Sequence, residues 1–150
     1  MSALSFRRAG PADAATVHAL IHAAYAKWVP VIGHLPRPMT VDYAQSVRDH
    51  FVELALRDGK AIAVLDMIPE PDCLILENIA VDPAVQGGGI GGVLMERVEQ
   101  HARERGLKAV RLYTNRRFAT NIAFYERRGY TLEREEQLSD RVLVHMAKRL

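Results

Sequence analysis

Residues 81–94 read VDPAVQGGGIGGVL and hold five of the chain's ten glycines, at positions 87, 88, 89, 91 and 92. Glycine inside a regular element costs about 0.5–1 kcal/mol relative to alanine, so this density needs a use. A glycine-rich turn running into a helix aims several unpaired backbone N–H groups, and the positive end of the helix dipole, at one point. That is the chemistry of a phosphate site. The Walker pattern is excluded, because it requires Lys-Ser/Thr after its last glycine and Gly92 is followed by Val93-Leu94. The dinucleotide fingerprint G-x-G-x-x-G is formally present at Gly87, Gly89 and Gly92. Its context is wrong: DPAVQ separates the glycines from the preceding strand, and the next strand ends in Thr114-Asn115 rather than an acidic residue.

Other side chains that could do chemistry are scattered. The six histidines, His18, His22, His34, His50, His101 and His145, form no convincing ligand set. His18 and His22 lie one helical turn apart, but with no suitably placed glutamate or third ligand, so both read as surface residues and no metal is expected. Cys73, the single cysteine, has no visible base. It excludes an internal disulfide framework and fits a reducing, cytoplasmic setting. No apolar run approaches the ~20 residues that span a bilayer, and MSALSFRRAG lacks a signal-peptide core. With a net charge of only +2, neither a membrane nor a nucleic-acid partner is expected. The charge is uneven, with 8 Lys+Arg against 12 Asp+Glu in residues 1–100 and 12 against 6 in residues 101–150. That asymmetry is either scattered solvated charge or a basic cofactor side opposite an acidic side for a cationic substrate.

The elements that must position these residues follow from periodicity. At 150 residues the chain has the length of one domain, 1–150. SFRRA is a short strand. GPADAATVHALIHAAYAKW is a helix, with Gly10 at its N-cap, Pro11 in its first turn, and Val17, Leu20, Ile21 and Ala24 on one face. VPVIGHLPRPM is loop, and TVDYAQSVRDH is a second helix capped by Thr40. FVELAL and AIAVLDMI form a hairpin across Asp58-Gly59, and CLILENIAV follows as a third strand. Behind the glycines, Ile90, Leu94, Val98 and Ala102 make a helical stripe, with Glu96, Arg97, Glu99, Gln100, Arg103 and Glu104 on the wet face. KAVRLYTN, FATNIAFYERRG, YTLEREE and RVLVHMAKR then read as strand, helix, strand and strand. The order β-α-α-β-β-β-α-β-α-β-β describes a mixed α/β domain with antiparallel hairpins.

Gln86, Gly89 and Gly91 also satisfy Q/R-x-x-G-x-G/A after a strand ending IAVDP, and TNIAFYERRGY supplies an Asn, an Ala, an aromatic-Tyr pair and Gly-Tyr in order. The two motifs resemble the cofactor motifs of the GCN5-related N-acetyltransferase (GNAT) superfamily, and the element order is similar over about residues 5–149. The resemblance implies an α/β fold with a mostly antiparallel sheet of about six to seven strands and about four helices. It implies direct transfer of acetyl from acetyl-CoA to a primary amine, of a small molecule or peptide, in a ternary complex. A non-catalytic acyl-CoA-binding or sensing domain of the same fold is the alternative, and a homodimer is possible.

What the resemblance implies for single residues is specific. Ile79, Ala80 and Val81, on a strand splayed from its neighbour, would pair with the pantetheine arm. Gln86, Gly87, Gly88, Gly89, Ile90, Gly91 and Gly92 would hold the pyrophosphate, with no loop cation to help. Asn121 would reach the pantetheine. Tyr125 would give a proton to the departing thiolate, a phenol being close in pKa to a thiol; filling the core is its other reading. Glu77 would take the amine proton or merely be a solvated strand carboxylate. By the two-residue strand repeat Glu77 shares a face with Ile79, and Asn78 points the other way. Tyr25, Trp28 and Tyr43, around the proline-bearing loop, would form the acceptor wall or pack the N-terminal helices. Asn115 would bind the pantetheine or turn the chain.

Overall fold

In a computed structural model, residues 3–150 are described; Met1 and Ser2, the start of the stretch read above for a signal peptide, lie outside them. Strand β1 (Ser5–Arg8) leads into helix α1 (Ala14–Tyr25), a one-turn α2 (Val29–Ile32) and α3 (Tyr43–Asp49). Strands β2 (Phe51–Arg57), β3 (Lys60–Pro69) and β4 (Leu74–Val81) follow, then α4 (Ile90–Glu104), β5 (Ala109–Asn115), α5 (Ala119–Glu126), β6 (Thr131–Gln137) and β7 (Val142–Arg149). The seven strands form one sheet in the order β1-β2-β3-β4-β5-β7-β6. Every neighbouring pair is antiparallel except β4 and β5. Among the described residues no helix is long and apolar enough to cross a membrane.

The sheet separates two apolar layers. On one face Val17, Leu20 and Ile21 of α1 and Tyr43 and Val47 of α3 pack on Val52, Leu54, Val64 and Ala80. On the other, the stripe Ile90, Leu94, Val98 and Ala102 packs with Tyr125 on Leu65, Met67, Leu74, Leu76 and Val110. The stripe therefore faces the core as its spacing requires. Asp58 and Gly59 both take positive φ, 52° and 78°, as the two-residue hairpin between β2 and β3 demands.

Local details depart from the sequence reading where side chains compete for helix ends. Asp42 rather than Thr40 caps α3, its carboxylate accepting from the Ala44 amide at 3.0 Å. Thr40 instead donates to the Arg37 carbonyl at 2.7 Å. The segment 29–39 is not wholly loop, since α2 forms before Gly33 stops it in the left-handed region. Glu99, assigned to the wet face of α4, is buried. Its charge is met by Lys148 at 2.9 Å and by the Tyr130 hydroxyl at 3.1 Å. His101 is also buried, bonded to Glu53 at 3.0 Å, and Arg97 holds the same carboxylate through two bonds of 2.8 and 3.0 Å. Burial opposes the Glu53 charge, but these partners outweigh it and keep the carboxyl below its ordinary range. His18 is exposed and stacks on His22 at 3.8 Å, and no metal-holding cluster exists among the described residues.

Candidate active site

The site begins with an irregularity in β4. Asp66 faces Asn78 and Met67 faces Leu76, so Glu77 is an extra residue, a β-bulge. A bulge bends its strand and re-aims side chains. Pairing with β5 runs only from Leu74 to Leu76, while β5 continues to Asn115 against β7. The two strands thus part just where the bulge lies, and Ile79, Ala80 and Val81 pair with β3 alone. The splay expected of this strand is present.

The bulge also corrects the sequence reading. Glu77 and Asn78, expected on opposite sides, both line one cavity of about 490 Å³, together with Tyr25, the proline-bearing loop and the end of β5. Ile79 does not share it; with Ala80 and Val81 it lines a second cavity of about 340 Å³ against α4. The simple two-residue repeat fails because it has no place for an inserted residue.

The 340 Å³ cavity gathers most of the residues expected around a phosphate-bearing ligand. Gln86, Gly87, Gly89, Ile90, Gly91, Gly92, Asn121 and Tyr125 line it, whereas Gly88 does not. Gly89 caps α4 with φ 77°, a left-handed conformation that favours glycine. Gly91 and Gly92 serve close approach. A Cβ on Gly91 would lie 2.8 Å from the Phe124 ring, and one on Gly92 would lie 3.0 Å from the Arg128 guanidinium. Gln86 acts through the strand, its amide donating to the Val81 carbonyl at 3.0 Å.

Arg128 is the residue the sequence reading missed. The glycine loop has no cation, but α5 brings one: the Arg128 guanidinium lies 3.8 Å over the Phe124 ring and donates to the Phe124 carbonyl at 3.1 Å. Lys27 joins the lining from the other side, and no carboxylate does. A pocket with two cations, a helix N-terminus and no acid suits an anion. The available signal was the basic pair in ERRGY, which no spacing rule ties to a loop some 36 residues earlier. Trp28, expected on the acceptor wall, lines this cavity instead, stacked on Phe118 at 4.4 Å.

The 490 Å³ cavity is lined by side chains from both halves of the chain. Glu77 accepts from the Tyr113 hydroxyl at 2.5 Å, and Arg37 stands 3.8 Å from the same oxygen. Burial raises the Tyr113 phenol above its ordinary range, and the Glu77 hydrogen bond and charge add to the rise. Asp140 pairs with Arg141 at 2.7 Å and Glu136 with His145 at 2.9 Å. Because Glu136 and Asp140 come from the basic half and Arg37 from the acidic half, the charge asymmetry along the chain does not map onto this site. Asn115 turns the chain, its side-chain oxygen accepting from the Arg117 amide at 2.9 Å. Tyr43 lines neither cavity: it is buried under α1, and its hydroxyl donates to the Pro38 carbonyl at 2.6 Å, holding the proline loop that does line the site.

Among the described residues Tyr25 alone joins the two cavities, lining both with Glu77 on one side and Tyr125 on the other. Burial raises the Tyr125 phenol well above its ordinary range, with Tyr25 adding to the rise. Tyr125 therefore keeps its proton at neutral pH, and the same burial makes it a weaker acid than an ordinary phenol, further from a thiol than the sequence implies.

The family model described as "Acetyltransferase (GNAT) family" matches residues 17–130. The chain belongs to that family. Among solved structures, the PaiA N-acetyltransferase of Thermoplasma acidophilum in complex with coenzyme A superposes with a TM-score of 0.83, at 16% identity over 99% of each chain. A GNAT family acetyltransferase of Elizabethkingia anophelis with acetyl-CoA bound superposes at 0.71, with 15% identity over 98% of each chain. Among curated proteins, the IAA acetyltransferase of Azospirillum brasilense is 42% identical over 37% of this chain and 36% of its own. The mycothiol acetyltransferase of Thermomonospora curvata is 38% identical over 52% of this chain and 27% of its own. The chain thus spans less than half the length of these curated relatives.

Proposed function

We propose that this protein is an N-acetyltransferase that moves acetyl directly from acetyl-CoA to a primary amine in a ternary complex. The observation that carries this reading is the junction of two unlike cavities at one splayed strand. One is glycine-lined and cationic, the other holds a carboxylate, and Tyr125 and Glu77 sit on the two sides of their meeting point.

Each residue's task follows from its surroundings. The amides of residues 87–92, the α4 dipole, Arg128 and Lys27 hold the phosphates. The β5-facing backbone edge of Ile79–Val81 and the Asn121 side chain offer hydrogen bonds to the pantetheine amides. Glu77 accepts the proton that the amine must lose as its nitrogen bonds to the acetyl carbon. Tyr125 gives its proton to the sulfur as the C–S bond breaks, and both groups are reset by exchange with water. The acceptor is an amine of a small molecule or a peptide.

An acceptor screen with free-thiol detection and mass measurement of the acetylated product tests the reading. Turnover of an amine is expected, with Tyr125→Phe lowering kcat by ~10²–10⁴ while leaving acetyl-CoA affinity unchanged. Acetyl-CoA binding without turnover of any amine would favour a sensing domain instead.

A further inference from the structure

The chain has five tyrosines, and their hydroxyls divide cleanly. Tyr43 donates to the Pro38 carbonyl, Tyr113 to Glu77 and Tyr130 to Glu99. The hydroxyls of Tyr25 and Tyr125 hydrogen-bond to no described residue. These same two tyrosines line the glycine-rich cavity, and only Tyr25 also lines the acceptor cavity. Tyr125 has work in the mechanism above. Tyr25 has none beyond forming a wall.

Its position is fixed by its neighbours. The ring comes from the last residue of α1 and rests against buried Phe118, with centroids 6.4 Å apart. Tyr25 lines one cavity with Glu77 and the other with Tyr125. Burial, with the Glu77 charge adding to it, pushes the Tyr25 phenol up to about 12. The group is therefore an O–H donor throughout the range in which amines are acetylated.

We propose that Tyr25 is a catalytic residue whose hydroxyl donates a hydrogen bond to the acetyl carbonyl oxygen where the two cavities meet. As the amine nitrogen bonds to the carbonyl carbon, the π pair moves onto that oxygen. The Tyr25 hydrogen bond stabilises the negative charge without transferring its proton. When the C–S bond breaks, the pair returns to the carbonyl and the thiolate takes the Tyr125 proton. A donor already in place costs no reorganisation at that moment, which is why such groups act mainly in the transition state.

The inference rests on the acetyl-CoA reading, and its test separates the two. Wild type and Tyr25→Phe are each mixed with the ketone analogue of acetyl-CoA, carrying ¹³C at its carbonyl and methylene in place of the thioester sulfur. If wild type does not bind it, the cofactor reading fails and this inference falls with it. If both bind, the carbonyl resonance of the variant is expected to shift toward its unpolarised position. In turnover, kcat should fall by ~10²–10³, as for loss of one oxyanion donor, with both KM values nearly unchanged. An unmoved resonance, or a loss confined to the acceptor KM, would overturn the proposal and leave Tyr25 as a wall. Phenylalanine keeps the ring against Phe118, so folding is not at issue; equal melting temperatures would verify this.

Discussion

The two cavities that meet at Tyr25 are built in opposite ways. The smaller is formed from three short segments, residues 24–28, 79–92 and 121–128, with four glycines and several aromatic rings in its lining, and the charged residues that line it are cations. The larger draws on residues 25–41, 77–78, 113–118 and 136–145, and its charges occur as ion pairs formed by side chains from both signs. The glycine-bearing part of this cradle is local, because its turn and the helix N-terminus belong to one stretch of sequence. A side-chain-built acceptor cavity is assembled by the fold and can vary without disturbing the cradle.

If the cradle is as rigid as its packing implies, one added side chain should destroy it. In Gly91→Glu the Cβ would stand 2.8 Å from Phe124 and a carboxylate would enter a pocket that has none. Acetyl-CoA affinity is expected to fall more than ~10²-fold, read by calorimetry on a variant whose circular dichroism shows it folded. Removing the cation supplied from α5 should do less. Arg128→Met is expected to weaken CoA binding by about tenfold, the low end for a charge-assisted hydrogen bond. S-acetylpantetheine, which has no such phosphates, should bind both proteins equally. An equal loss for both ligands would move Arg128 from charge to packing.

The smallest effect should come from the support of the other cavity. Tyr43→Phe removes the bond to Pro38 and is expected to cost about 1 kcal/mol of stability. The acceptor KM should rise a few-fold as the proline loop loosens, while the affinity for acetyl-CoA stays put. A change in cofactor affinity of the same size would mean that the two cavities are mechanically coupled through α1.

This contrast also accounts for what the sequence could reveal. The element order, the α4 stripe and the loop from Gln86 to Gly92 were legible because they depend on short-range spacing. The acceptor wall was not, since Leu138, Leu143 and Tyr113 reach it only through the pairing of β5, β7 and β6. Trp28 and Tyr43 were grouped with Tyr25 by the family resemblance, whereas Trp28, just after α1, and Tyr43, at the start of α3, go to different places. Arg128 escaped because its partner is a missing Cβ, the space above Gly92, which no residue-type pattern records. Glu77 and Asn78 were assigned to opposite faces because alternation presumes one residue for one.

The bulge at Glu77 has a further consequence when β4 is written without that residue. Leu74, Leu76, Ile79 and Val81 then alternate unbroken toward the α4 layer, and Ile75, Asn78 and Ala80 fall between them. Ala80 and Asn78, opposite Val64 and Asp66, take the α1 side. The strand is thus already complete as architecture, and Glu77 reads as an insertion that the fold accommodates rather than requires. A one-residue deletion there would be gentler on the scaffold than indels elsewhere in the sheet. Because the same residue sits where β4 parts from β5, its deletion would remove the carboxylate and disturb the free edge of Ile79–Val81 together, so the donor and acceptor sides are tied to one inserted residue.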